Sequence, residues 1–463
     1  MWDFPARINF GILKIRKKEV NQMAVKPEKG GLTTSNMWLI LGCTLVISII
    51  AELIGTFKFQ VGPGVIVLFP LIWAIVLAGF VSLQKWYPIP VRAQQFSAVI
   101  MEIGIMIFIV RLGTLIGPSL AKVFSSSAAL LFQELGHIFG TVILALPIAI
   151  LLKTGRASIG ASYSIDREPN LAFIAERFGG NSDEYRGAVG VYVIGSIFGA
   201  LYVGLLAGFL GGWNIFSPIA LAMGAGVGSG SMMAAASSAI ATEFPQYKDQ
   251  ILAFAGASNL ITEVFGVYAT IFISLPLAEV LYKFWNRLFF NQNVASAQAA
   301  AAVDATNETQ HVENTESRIS MSISNMVWIV LMISAIMLIS NWVGTHQVHA
   351  ISIVGMLFIA VITIISFLLK RLIPVIPAIV WASMFGLILT ASFCPIAPTL
   401  LTWVKDIDFL AMVSPVLALV GLSIGKDIKQ FKHISWRIIV VAFVAYTATF
   451  VFASLIAQVF ILK

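Results

Sequence analysis

Long apolar runs, separated by short polar stretches, follow one another along the chain. The runs are continuous rather than alternating, which predicts helices and not the strands of a membrane barrel. A helix needs about 20 apolar residues to cross a bilayer, so we expect an all-α polytopic membrane protein with about 10–12 transmembrane segments. The predicted segments are 37–54, 64–82, 96–117, 128–152, 188–212, 217–241, 251–282, 324–342, 350–369, 373–393, 409–425 and 436–461.

One polar stretch has a different composition from the other loops. Residues 291–322 are rich first in Ala, then in Asn, Glu, Thr and Ser, and contain no aromatic residue. Such a stretch cannot bury a core and predicts a flexible linker. The predicted organisation is a basic cytoplasmic N-terminal segment (1–34), a first membrane repeat with extra segments (35–288), the linker (289–322) and a second membrane repeat (323–463).

The two halves around the linker are related in sequence. Aligned without gaps, residues 35–56 and 324–345 share eight identities, and both blocks begin with Ser-Asn-Met and end with Gly-Thr. Matched polar and small residues carry more weight here than shared Ile or Val in apolar sequence. Internal repeats in a helical membrane protein are typical of secondary transporters, whose binding sites lie at the repeat interface.

Composition and charge agree with a membrane location. The 463 residues are 59% hydrophobic and only 11% charged, with a mean hydropathy of +0.92, whereas soluble proteins carry about 25% charged residues. The net charge is +7, and many of the cationic residues lie in the first thirty positions. The positive-inside rule explains this better than a nucleic-acid partner and places the N-terminus in the cytoplasm. No cleavable signal peptide is predicted, and two cysteines, Cys43 and Cys394, indicate neither a disulfide framework nor a zinc site.

Segment 217–241 contains the first candidate site. Its glycines alternate with other small residues at a spacing of two, and each glycine costs a helix interior about 1 kcal/mol relative to alanine. Tight helix packing would explain glycines at a spacing of four, but a spacing of two favours a broken helix whose exposed amides bind a solute, and a helix start favours an anion. The predicted substrate-binding residues are Gly224, Gly226, Gly228, Ser229, Gly230, Ser231 and Met232.

A second helix break is expected at residues 421–425. Ser414–Gly425 aligns with Ser217–Gly228 without gaps, with Ser, Pro and two Gly identical. This alignment conflicts with the collinear repeat, which pairs 409–425 with 128–152. We nevertheless add Ser423 to the predicted substrate-binding residues.

Ionisable residues inside apolar segments are the candidates for ion or proton coupling, because a charge is costly there. Glu134 and His137 are three residues apart and share a helix face, so they could share a proton, ligate a cation or hold two helices together. Asn259, Thr262 and Glu263 follow the glycine segment, and this helix could supply oxygen ligands to Na⁺ or carry a proton. Two further charged residues, Glu52 and Arg111, lie nearer segment ends and are expected to snorkel.

Signatures of catalysis are absent from the sequence, which contains no HExxH, GxSxG, CxxC or P-loop motif. We therefore predict no enzyme, no catalytic residue, no metal centre and no cofactor, and any pumping must use an ion gradient. The predicted function is ion-coupled secondary transport of a small, anionic organic solute. The alternatives are a cation/proton antiporter and a non-transporting membrane protein; a homodimer is left open, and the predicted location is the inner membrane.

Two motifs carry a resemblance to known families. The stretch 164–172 (Ser-Ile-Asp-Arg-Glu-Pro-Asn-Leu-Ala), together with 226–233 (Gly-Val-Gly-Ser-Gly-Ser-Met-Met), is similar to a bacterial membrane family catalogued as a domain of unknown function. The glycine segment also resembles the superfamily of sodium–bile acid symporters, cation–proton antiporters and 2-hydroxycarboxylate carriers. That resemblance implies two helix bundles, a core pair of broken helices, Na⁺- or H⁺-coupled alternating access and organic anions as common substrates.

The orientation of the repeats stays open at this point. If segment 217–241 crosses the membrane, seven helices separate the two Ser-Asn-Met blocks and the repeats are inverted, as we suspect from the resemblance. If the segment is a re-entrant hairpin, the repeats are parallel. The matched positive loops at Lys85 and Lys370 favour the parallel arrangement.

Overall fold

The structure is a computed structural model that describes residues 34–61, 64–163, 168–180, 182–290, 322–347, 349–373, 376–432 and 434–461. Most of the predicted N-terminal segment (1–33), most of the predicted linker (291–321) and part of the 164–172 motif lie outside the described residues. Eight described helices are long and apolar enough to cross a membrane, and two apolar helices are shorter. The prediction of an all-α polytopic membrane protein is confirmed.

The first half of the chain contains a hairpin of two strands and a series of helices. The strands β1 (Phe57–Val61) and β2 (Gly64–Leu68) pair antiparallel, with Phe57 opposite Leu68. The helices are α1 (Thr34–Ile54), α2 (Pro70–Leu83), α3 (Val91–Ser125), α4 (Ser127–Leu151), α5 (Ala157–Ser162), α6 (Glu168–Phe178), α7 (Asp183–Gly212), α8 (Pro218–Ala225), α9 (Gly230–Glu243), α10 (Lys248–Ile261), α11 (Val267–Ala269) and α12 (Leu275–Phe290).

Several of these helices widen locally into π-helical turns. One turn (Thr141–Ala145) lies inside α4 and another (Gly195–Gly199) lies inside α7. Two more, Thr262–Gly266 and Thr270–Ser274, join α10, α11 and α12 into one helical run. Because π turns leave the regular backbone ladder, they are frequent near functional sites.

The second half contains helices alone in its described part. They are α13 (Ile323–Thr345), α14 (Ala350–Leu372), α15 (Ala378–Thr390), α16 (Ala397–Val404), α17 (Phe409–Lys432) and α18 (Trp436–Ile461). The short helix α16 was not predicted. The predicted segment 64–82 is also wrong as a single span, because Gly64–Leu68 pairs with β1 and the helix begins only at Pro70.

The helices that open the two repeats run in the same direction. Glu52, near the end of α1, accepts hydrogen bonds from Ser340 and Ser414, and Gly344, near the end of α13, packs against the Glu52 side chain. The C-terminal ends of α1 and α13 therefore lie together. The repeats are parallel, and the suspected inverted arrangement is wrong. We name this side of the molecule the hairpin end, and the side where α1 and α13 begin the linker end.

Helices α7 and α9 run in parallel and finish at the hairpin end. Gly204 packs against Ala235 and Gly208 against Ala239, so the two helices advance together. Lys248, which begins α10 after the short turn that follows α9, forms an ion pair with Asp408. The Asp408 N–H donates to Asn341 Oδ1, near the end of α13, at 2.7 Å.

Helix α8 runs in the opposite direction, so α8 and α9 form a re-entrant hairpin. The Ser217 N–H, just before α8, donates to Gln458 at the C-terminal end of α18 at 2.8 Å, whereas Gly224 packs against the earlier Phe450. Helix α18 is parallel to α7, because Gly190, early in α7, packs on Ile438, early in α18, and the later Tyr202 hydrogen-bonds the later Thr447. The five residues between α7 and α8 span at most about 18 Å, too little to return across a core of about 30 Å.

Candidate functional site

The tip of the hairpin is an irregular stretch deep in the membrane domain. Helix α8 ends at Ala225 and α9 begins at Gly230, so the predicted break lies at 226–229. The 14 residues of α9 place the tip about 21 Å from the hairpin end. The predicted discontinuous helix is confirmed, in the form of a hairpin rather than a kinked span.

Accessibility changes abruptly at this tip. Residues 220–227 and 232–241 are buried, whereas residues 228–231 are half-buried. Ser229 occupies the N-cap of α9, its side chain makes no capping bond, and its hydroxyl lies 3.3 Å from that of Ser231. The start of α9 therefore presents backbone amides and two hydroxyls towards accessible space, which is a favourable arrangement for an anion.

Two side chains of α10 fix the other side of the tip. Asn259 Nδ2 donates to the carbonyl oxygens of Gly226 and Gly228 at 2.9 and 3.0 Å, and Ser258 Oγ donates to Met223 at 2.7 Å. These bonds satisfy carbonyls that the break removes from the helical ladder. Asn259 therefore positions the tip, and it was predicted as an ion ligand; Ser258 was not predicted to take part.

The four glycines divide into two pairs by what a Cβ would meet. At Gly224 it would collide with Ser454, and at Gly226 with Ser258. At Gly228 and Gly230 it would lie 2.9 Å from Met232 and 3.1 Å from Ile105, both side-chain atoms. None of the four has a positive φ. The first pair therefore serves close packing, and the second pair lies at the accessible tip.

Glu134 is the buried carboxylate nearest to this hairpin support. It is 7% exposed, and its Oε1 accepts hydrogen bonds from Gln133, at 2.7 Å, and from Thr262. Thr262 follows Asn259 by three residues, so the carboxylate and the hairpin tip are held by adjacent turns of one helix. The structure brings Thr262 into contact with Glu134, which the sequence analysis had placed in two separate groups of candidate residues. The sequence analysis did not include Gln133, although an amide side chain in an apolar segment is itself unusual.

His137 lies beside this carboxylate with one ring nitrogen engaged. Its Nδ1 is 3.5 Å from Glu134 Oε2, and the ring is 1% exposed. Its Nε2, like Oε1 of Gln133, has no hydrogen-bond partner among the described residues. Buried polar atoms are normally paired, so two unpaired atoms beside a carboxylate make this cluster a candidate for the exchange of a proton or an ion.

Two further predicted residues are Ser423, on α17, and Glu263, beside Thr262. Helix α17 is unbroken from Phe409 to Lys432, so the expected break at 421–425 is wrong. Ser423 donates to Val420 within its own helix, and Gly421 is needed for close packing against Ile75. Glu263 is half-buried and follows Thr262 by one residue in the π-helical turn, so its side chain leaves the helix in a different direction from that of Thr262.

The two charged residues that were expected to snorkel are instead held inside the protein. Ser414 Oγ donates to Glu52 Oε1 at 2.6 Å. Arg111 is 6% exposed and donates from Nε to the carbonyl oxygen of Ile407 at 3.1 Å. Among the described residues, no group of three His, Cys, Asp or Glu side chains is placed to hold a metal ion.

Fold and site together define a polytopic α-helical membrane protein with parallel repeats and a re-entrant hairpin. Within that class, the chain belongs to the family described as "Protein of unknown function (DUF3100)", which matches residues 49–284, just over half of the chain. The matched region contains Glu134, the whole hairpin and Asn259. Neither the curated proteins nor the solved structures contain a match.

Proposed function

We propose that this protein is an ion-coupled secondary transporter that carries a small, anionic organic solute by alternating access. The observation that supports this most directly is the hairpin tip, which is half-buried between two buried half-helices about 21 Å deep. Non-helical backbone is tolerated at such depth where it is buried in protein or lines a polar cavity. Re-entrant and broken helices are the usual substrate-binding elements of secondary transporters.

The chemistry of the tip favours an anionic solute. The first amides of α9 lack intrahelical acceptors, and the helix dipole adds a partial positive charge there. The hydroxyls of Ser229 and Ser231 supply two more donors. An anion at this position would satisfy these donors without a cationic side chain.

The coupling ion in this proposal is H⁺ or Na⁺, exchanged at Glu134. Its neighbours supply a hydroxyl, an amide and the His137 ring, and the Nε2 of that ring is free to take or give a proton. Thr262 transmits the state of the carboxylate to Asn259, one turn away on the helix that fixes the tip. Coupling between ion and solute then needs no more than this one helical segment.

Charge distribution supports a cytoplasmic N-terminus in the inner membrane. The described lysines and arginines concentrate at the linker end, where the N-terminal segment and the linker also attach. These residues are Lys85, Arg92, Lys153, Arg156, Arg177, Arg186, Lys283, Arg287, Lys370, Arg371, Lys426 and Arg437.

Alanine at Gly230 and alanine at Gly224 test the proposal against a purely structural hairpin. Alanine at Gly230 adds a methyl 3.1 Å from a side-chain methyl of Ile105, which needs to move by only a few tenths of an ångström, at the half-buried start of a helix. The melting temperature should therefore hold while uptake falls at least tenfold. Alanine at Gly224 collides with α18 and should lower the melting temperature. Gly208→Ala, whose methyl makes an ordinary contact 3.8 Å from Ala239, should change neither quantity.

Uptake is measured in proteoliposomes with radiolabelled acetate, lactate, succinate, citrate and glutamate, under an imposed Na⁺ or pH gradient. Normal uptake by a destabilised Gly230→Ala protein would contradict the site assignment. Glu134-dependent Na⁺/H⁺ exchange without uptake of any of these solutes would establish the antiporter instead.

A further inference from the structure

A polar cavity lies at the hairpin end, and the residues of the hairpin tip do not line it. It has a volume of about 100 Å³ and opens to the surface. Its wall is formed by the middle of α3, the first turns of α10 and the segment between α16 and α17. The lining residues are Arg111, Leu115, Lys248, Asp249, Leu252, Lys405, Ile407, Asp408 and Phe409.

Arg111 is the buried charge in this cavity, and its guanidinium is only partly used. Nε donates to Ile407 at 3.1 Å and Nη1 donates to Thr114 at 2.8 Å, which fixes the plane of the group. Within the described ranges, Nη2 donates to no acceptor and no carboxylate forms an ion pair with the guanidinium; Asp408 and Asp249 act on it only from farther away. A buried arginine is stable when its charge and donors are matched, so this one is suited to an exchangeable partner.

The cavity is also matched to a single negative charge. Its lining carries three cations, Arg111, Lys248 and Lys405, against two carboxylates, Asp249 and Asp408. Lys248 and Asp408 pair with each other. Arg111 and the exposed Lys405 then face one carboxylate, Asp249, which leaves one positive charge in excess. The outer edge of a guanidinium, formed by one N–H of Nη1 and one of Nη2, has the geometry to donate two parallel hydrogen bonds to a carboxylate. Nη1 carries a second N–H besides the one that it donates to Thr114.

From these observations we infer that the cavity is a binding site for a small monocarboxylate, with Arg111 as its principal ligand and Lys405 at its rim. The volume suits a short-chain acid, and Leu115, Leu252 and Phe409 supply an apolar wall for its carbon atoms. The binding inference stands without transport.

The position of the site gives it a role in the proposed function. Ile105, six residues before Arg111 on α3, contacts Gly230 at the hairpin tip. Six helical residues rise about 9 Å, so the site lies roughly that far from the tip along α3, towards the hairpin end. If the transport proposal holds, this is the place where the solute carboxylate binds before it reaches the tip.

The test uses purified full-length protein in detergent, with acetate as the probe and acetamide as its neutral isostere. Melting temperature is measured against the concentration of each at constant ionic strength, and the curve yields an apparent Kd. Acetate should raise the melting temperature in a saturable way, and acetamide should not. Arg111→Gln should weaken acetate binding at least tenfold, and Arg111→Lys should give an intermediate loss because it keeps the charge but not the planar edge.

Controls separate this site from general charge effects and from the hairpin. Lys122→Gln removes an exposed cation at the same end of the same helix and should leave the acetate curve unchanged. If Arg111→Gln does not fold, two other variants test the site. Lys405→Gln should weaken acetate binding, and Leu115→Phe should block the cavity. Equal stabilisation by acetamide, or an unchanged Kd in these variants, overturns the inference. Gly230→Ala should keep the acetate shift, so loss of uptake and loss of this site are distinguishable.

Discussion

Asn259 is the residue whose removal should most directly loosen the hairpin tip. Its amide donates to two carbonyls of the break, so Asn259→Ala removes two hydrogen bonds and leaves Gly226 and Gly228 oxygens without that donor. The unpaired, buried Gly226 carbonyl costs about 1–3 kcal/mol, and the Gly228 carbonyl, at the half-buried tip, costs less. The expected loss of stability is therefore about 1–4 kcal/mol, with the larger effect confined to the tip.

Hydrogen exchange followed by mass spectrometry measures this effect at residues 223–232, and thermal unfolding measures it for the whole protein. Ser258→Ala is the matched control, because it removes one bond, to Met223, from the preceding position of the same helix. Asn259→Ala should speed exchange at the tip at least tenfold more than Ser258→Ala does. Equal exchange in both variants would refute the assignment of Asn259 as the residue that positions the tip.

The remaining predictions concern coupling and topology. Glu134→Gln should flatten the pH dependence of uptake while the protein stays folded. Thr262→Val should shift that pH dependence, and Glu263→Gln should leave it unchanged. If the pH dependence became flat only in Glu263→Gln, the coupling site would be Glu263 instead. In a background without the two native cysteines, Ser322→Cys should resist an impermeant thiol reagent in intact cells, and His346→Cys, exposed at the hairpin end, should react. Reaction of the first and protection of the second would reverse the proposed orientation.

Many helices could be predicted because lipid leaves the backbone few choices. Apolar length alone identified the spans that appear as α3, α7 and α18, and the glycine spacing located the break before α9. The same reasoning was wrong at Gly421 and Gly425, whose glycines resemble those of the hairpin. There the missing side chains allow α17 to approach α2 and the Gln94 side chain, so small residues served packing rather than a break.

Several residues of the candidate site could be predicted from the sequence, but the contacts between them could not. Charges and amides in apolar segments pointed to Glu134, His137, Asn259 and Thr262, because a buried polar group is costly unless it is used. Nothing in the sequence showed that Thr262 binds Glu134 while Asn259 binds the hairpin. Arg111 shows the same limit, since its position near a segment end is compatible with snorkelling until Ile407 and Thr114 are seen to hold it.

The sequence by itself determined the membrane location, the helical class, the repeat and the broken segment, because each depends on local composition or on spacing along one chain. The tertiary structure decided whether that segment crosses or returns, whether the repeats are parallel, and which polar side chains meet. Those outcomes depend on contacts between residues far apart in sequence, such as Ser217 with Gln458 and Glu52 with Ser340. A hydropathy pattern is the same for a helix that runs up or down. The loop charges and the family resemblance pointed to opposite arrangements here, so the packing contacts decided the direction.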